Sequence, residues 1–94
     1  MPVLIDNLSF ANAKQALQTG LDAMRNGQYT FDLANVVHAD SSSVAVMLAW
    51  QRAANSSFKE LRFLNTPESI LSLMALYGVT DLVHFESQTD HLTD

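Results

Sequence analysis

The stretch "HADSSSVAV" (38–46) sets His38 and Asp40 beside three consecutive serines, Ser41, Ser42 and Ser43, between an alternating apolar segment and a continuous one. Serine, histidine and aspartate can together activate a nucleophile, but His38, Asp40 and Ser41 are too close along the chain to reach triad geometry. The Gly-x-Ser-x-Gly elbow is also absent. His38, His84 and His91 share no metal-ligand spacing and read as loop, strand-end and tail residues. With only Gly20, Gly27 and Gly78, the chain cannot build a glycine-rich phosphate cradle. No catalytic residues, metal or cofactor are expected. What remains is the chemistry of a helix start. An Asp or Ser side chain there accepts a hydrogen bond from an orphan N–H of the first turn, and the partial charge of about +0.5 at that end favours a phosphate on a nearby serine. One cap needs one residue, whereas "DSSS" supplies four candidates. Asp40, Ser41, Ser42, Ser43 and Val44 are therefore the candidate surface for a protein partner.

Several elements must position that junction. "VLI" (3–5), ended by "DN", predicts a short buried strand. Phe10, Ala13, Leu17, Leu21 and Met24 recur at steps of three and four, which predicts a helix capped by Ser9 and ended at Gly27. "YTFDLANVV" (29–37) alternates at period two, as a strand does. From Val44 to Trp50 no polar residue interrupts the next helix, so it is buried nearly all round or covered by a partner. Trp50 fits core and interface equally well. "LRFL" (61–64) predicts a strand. "NTP" (65–67) starts a helix, with Thr66 as cap and Pro67 in the first turn, that carries a core stripe of Ile70, Leu73, Met74 and Tyr77 and stops at Gly78. "LVHF" (82–85) predicts a last strand, and residues 89–94 a frayed tail. Strands alternating with helices imply crossovers, hence an α/β domain with a mainly parallel sheet over residues 1–88. Binding sites in such sheets lie where strands end and helices begin, and the serine run sits at one of those places.

Composition narrows the function classes. At 94 residues there is room for one domain, and 48% hydrophobic against 16% charged residues lets it fold rather than remain disordered. A net charge of −5 without a Lys/Arg cluster argues against nucleic acid as a partner. The absence of cysteine excludes disulfides and thiolate sites and fits an intracellular setting. No apolar run approaches the roughly 20 residues that span a bilayer, and Asp6 interrupts what would be a signal-peptide core, so no direct membrane insertion is expected.

"FDLANVVHADSSSVAVML" (31–48) resembles the core of STAS domains, the group that contains anti-sigma factor antagonists and the small MlaB-type subunits of lipid-asymmetry ABC transporters. Asp32-Leu33 matches the end of that family's strand, Asp40 its second aspartate, and Ser41 the hydroxyl phosphorylated in the sigma-factor regulators. "NLSFANA" (7–13) resembles the entry to the first helix and "NTPESILSLMALYGV" (65–79) the later helix ending at glycine. The resemblance spans nearly the whole chain, and its specific part is the central motif. Ser43 stands where the family usually has glycine, and the N-terminus looks one strand short. The resemblance implies a non-catalytic, cytoplasmic, protein-binding STAS-like (anti-sigma factor antagonist-like) domain. The short chain, "DSSS" and the apolar second helix favour a subunit that docks on the ATPase of a phospholipid (Mla-type) ABC transporter, peripheral to the inner membrane. The other implied reading is an anti-sigma factor antagonist, bound by an anti-sigma kinase and switched by phosphorylation of Ser41.

Overall fold

The computed structural model describes residues 3–86, so the expectation for the tail at 89–94 lies outside the described residues. Strands and helices alternate along the chain: β1 (Asn7–Leu8), α1 (Ala13–Arg25), β2 (Thr30–Asp32), β3 (His38–Ala39), α2 (Ser42–Ser56), β4 (Arg62–Leu64), α3 (Glu68–Leu76) and β5 (His84–Glu86). Every strand pair is parallel, β1 beside β3 and, in order, β2-β4-β5. The fold is thus the α/β arrangement the sequence implies.

The core forms where the strand register stacks aromatic rings. Phe31, Phe63 and Phe85 sit opposite one another on β2, β4 and β5. Trp50 of α2 closes over them, edge-on to Phe31 at 5.1 Å between centroids and stacked on Phe63 at 6.1 Å. Trp50 is fully buried, so it belongs to the core and offers nothing to a partner. Its indole Nε1 donates to the Leu17 carbonyl at 3.0 Å, which leaves no polar atom of the ring unpaired. The indole lies against Gly20, where a Cβ would overlap it. Burying a ring against α1 therefore requires a residue without a side chain at 20. Ala16, Gly20, Ala23 and Met24 form the buried face of α1, while Leu17 and Leu21 are only half-buried.

All three helices end alike. In α1, Gln28 N donates to Ala23 O and Gly27 N to Met24 O; α2 uses Lys59 to Ala54 and Phe58 to Asn55, and α3 uses Val79 to Met74 and Gly78 to Ala75. This pattern puts the residue just past the helix in the left-handed region, and Gly27 (φ 93°) and Gly78 (φ 70°) occupy it as expected.

Several local expectations are corrected. Val3–Ile5 is not a strand. The Gln28 side chain takes both the N–H and the C=O of Val3, at 2.8 and 3.2 Å, and the two-residue strand falls at Asn7–Leu8 instead. The first helix does not begin at Phe10, because Phe10–Asn12 forms a 3-10 turn ahead of α1. Ser9 caps nothing; its hydroxyl donates to Asn7 Oδ1, and Phe10 is 79% exposed rather than on the core face. The segment 29–37 is interrupted because the Asp32 carboxylate accepts the Ala34 N–H and Val36 N turns back to Leu33 O, which ends β2 and separates it from β3. Thr66 does not cap α3: its Oγ1 is buried without a partner, and the Pro67 carbonyl accepts from Ile70 N and Leu71 N at the helix start. Tyr77 is exposed, so the core stripe of α3 reduces to Ile70 and Met74, with Leu73 half-buried. The last strand lies at His84–Glu86, after a 3-10 turn over Thr80–Leu82.

Candidate functional site

The junction is built around Asp40, which leaves the end of β3 and precedes α2. One carboxylate oxygen, Oδ1, accepts the Ser42 N–H at 2.9 Å, two residues ahead, and so satisfies a first-turn donor of α2. The other, Oδ2, accepts the Phe10 N–H at 2.9 Å, from the turn that begins α1 thirty residues earlier. Asp40 thus joins the starts of both helices with one side chain. These two backbone donors, Phe10 first, hold its carboxyl below the ordinary range, and it stays ionised at neutral pH.

The three serines divide by helical phase. Ser43 is completely buried, and its hydroxyl donates back to the Asp40 carbonyl at 2.7 Å. Val44 is likewise buried, among the residues of the core. Ser42 is half-exposed and contributes its backbone N–H to Asp40. Ser41 is exposed, sits in the right-handed helical region (φ −61°, ψ −20°) and makes no side-chain capping bond. Of the five sequence candidates, the structure therefore presents Asp40 and Ser41 at the surface, Ser42 partly, and turns Ser43 and Val44 inward to support them. Ala45 is exposed one turn beyond Ser41 and continues the accessible face.

Asp32, the other aspartate of the motif, has a different task. Its Oδ1 accepts from Asn65 Nδ2 at 3.0 Å and from Ala34 N at 2.9 Å, so it ties the end of β2 to the end of β4. Asn65, first, and Ala34 hold its carboxyl below the ordinary range. Asn65 adopts φ 55°, a conformation that asparagine tolerates better than most side chains. Sequence reading missed both long-range ties, Asp40 to Phe10 and Asp32 to Asn65. The signal for the second was present in the Asn-Thr-Pro turn at the end of a strand.

Among the described residues, the exposed Ser41 hydroxyl has no hydrogen-bonded base beside it, and the neighbouring Asp40 carboxylate is engaged by two backbone N–H groups. Among the described residues, no group of three or more His, Asp or Glu side chains could hold a metal ion. The arrangement can present a hydroxyl to a second protein. The family model for "Mlab, STAS domain" matches residues 4–84. The chain belongs to the STAS family. Its solved structural relatives include a Thermotoga maritima protein proposed to be an anti-sigma factor antagonist, with a TM-score of 0.69 at 20% identity over 96% of this chain and 77% of that one. This likeness concerns the fold. No curated protein matches the sequence. STAS domains are generally non-catalytic. No helix among the described residues is long and apolar enough to cross a membrane.

Proposed function

We propose that this STAS domain is a cytoplasmic, non-catalytic accessory subunit that docks on the ATPase of a phospholipid (Mla-type) ABC transporter and supports its assembly or activity. The observation that carries the reading is the match to the MlaB-type branch of the family over residues 4–84. The junction supplies a docking surface consistent with it. The Ser41 hydroxyl stands exposed and makes no capping bond, on a helix start that Asp40 already caps. A partner can contact Ser41 without disturbing the fold.

The test is binding of the purified ATPase subunit encoded in the same genome. Wild type and Ser41→Ala bind; Ser41→Glu, which places a second negative charge beside Asp40, binds at least about tenfold more weakly. Failure of the wild type to bind would remove the transporter reading. Equal binding by Ser41→Ala and Ser41→Glu would remove the placement of the interface.

The same exposed hydroxyl supports a second reading, an anti-sigma factor antagonist controlled by phosphorylation of Ser41. Incorporation of phosphate at Ser41 by an anti-sigma kinase, with loss of kinase binding afterwards, would favour it over the transporter.

A further inference from the structure

Phe58 occupies the left-handed position just past α2, with φ 57°, and it is 96% exposed. The equivalent position is Gly27 after α1 and Gly78 after α3, with the same pair of backbone hydrogen bonds at each end. A bulky side chain there crowds its own backbone, and a ring held in water gains nothing from burial. Two unfavourable features thus coincide at one residue, and nothing among the described residues offsets either.

The surroundings indicate what kind of surface would. Beside Phe58, the C-terminal ends of α1 and α2 form a shallow groove whose lining includes Leu21, Met24, Tyr29 and Ala53, with Arg25 at its edge. The Lys59 ammonium lies 6.0 Å from the centre of the Tyr29 ring, and Arg52 is exposed next to Ala53. Among the described residues, neither Lys59 nor Arg52 has a carboxylate partner. In a chain of net charge −5, two of the five basic residues, Arg52 and Lys59, stand here without a carboxylate partner among the described residues, while Arg25 is held by Asp22 on its own helix. A second copy of the chain would bring the same cations face to face, so the charge favours an acidic occupant. Ser41, Ala45 and Arg52 are exposed at spacings of four and seven along α2, which places them on one side of a helix of 15 residues, about 22 Å long, that ends at Ser56, just before Phe58.

We infer that Phe58 is the anchor of a second docking point, at the opposite end of α2 from Ser41, and that it enters an apolar pocket bordered by carboxylates on the same ATPase, with Lys59 and Arg52 pairing those carboxylates. The inference rests on the transporter reading and goes beyond it, because the Ser41 contact does not require it.

The experiment titrates the purified ATPase subunit with wild type, Phe58→Gly and Lys59→Glu at low and high salt, alongside thermal melts. Phe58→Gly should melt no lower than wild type, because glycine relieves the backbone, yet bind at least about tenfold more weakly. Lys59→Glu should weaken binding and flatten its salt dependence. If Phe58→Gly melts clearly lower, the ring is structural and the inference falls. If Phe58→Gly binds as wild type while Ser41→Glu does not, the inference falls and the Ser41 interface stands. If wild type fails to bind, both readings fall. Phe58-dependent self-association in sedimentation, or Phe58-dependent binding to phosphatidylglycerol vesicles, would replace the proposed occupant and overturn the assignment.

Discussion

Trp50 and Ser41 lie on the same helix, two to three turns apart, and they are used in opposite ways. At Trp50 every interaction closes inward: the ring packs on Phe31 and Phe63, its N–H reaches Leu17, and Gly20 makes room for it. At Ser41 the chain makes no side-chain cap, because Asp40 has satisfied the helix start from the preceding position. The contrast separates what holds the fold from what is available to a partner. Stability should therefore depend steeply on the first region and hardly at all on the second, and binding should show the reverse.

The largest effect belongs to the closed region. Trp50→Ala should cost about 3–5 kcal/mol, the usual range for removing a buried aromatic ring, and in a domain this small that threatens folding altogether. Gly20→Ala should cost about 1–3 kcal/mol, since the added methyl overlaps the indole. The two sites form a test of each other. In a Trp50→Phe background the smaller ring leaves space, and the Gly20→Ala penalty should shrink by at least about half. Denaturant melts of the four combinations measure that coupling. An unchanged penalty would mean that the cost is not set by the Trp50 contact.

The difference between the two regions also explains what could be read before the structure. The apolar run Val44–Trp50, the terminators Gly27 and Gly78, and the Asp-Ser junction are local signals, and the elements they announce are present. The errors arose where a backbone group is taken by a partner other than the one the local pattern suggests. Ser9 and Thr66 are good capping types at helix starts, but Asp40 serves Phe10 N from thirty residues away, and the Thr66 hydroxyl is buried without a partner, leaving α3 without a side-chain cap. Alternation continues through Tyr29, Phe31 and Leu33, yet the Asp32 carboxylate takes the Ala34 N–H and breaks the ladder. At the site, the sequence could name Asp40 and the serines but not their phase. Ser43 facing inward and Ser41 outward follows from where α2 begins, and that depends on which residue caps it.

Intermediate effects fall on the groups that support the exposed serine. Ser43→Ala removes a buried hydroxyl donating to the Asp40 carbonyl and should cost about 1 kcal/mol in a denaturant melt. Asp40→Ala should destabilise more than any change at Ser41 and less than Trp50→Ala. It should also alter the acid limb. Asp32 and Asp40 have folded-state values below the ordinary 3.8, so the unfolded chain binds more protons as the solution is acidified. Their contribution is fully present above the ordinary value and is lost as pH falls through the lower folded values. Between pH 6 and pH 3, wild type should therefore lose more stability than Asp40→Ala, which has already given up one of the two carboxylates. Parallel acid profiles for the two proteins would contradict the role given to Asp40.

The smallest change in stability is expected at Ser41, and it is the most informative one. A capping serine replaced by alanine costs about 0.5–2 kcal/mol, and aspartate restores it. Ser41 does not cap, so Ser41→Ala and Ser41→Asp should both lie within roughly 0.5 kcal/mol of wild type, as exposed positions usually do. The aspartate carries an added interest, since it sets a negative charge next to the Asp40 carboxylate at a helix start whose partial positive charge offsets part of the repulsion. Both variants should keep the fold and differ in partner affinity, with aspartate the weaker binder. A clear loss in Ser41→Ala that Ser41→Asp repairs, with binding unchanged, would mean that this hydroxyl serves the helix after all and that the surface offered to the partner lies elsewhere.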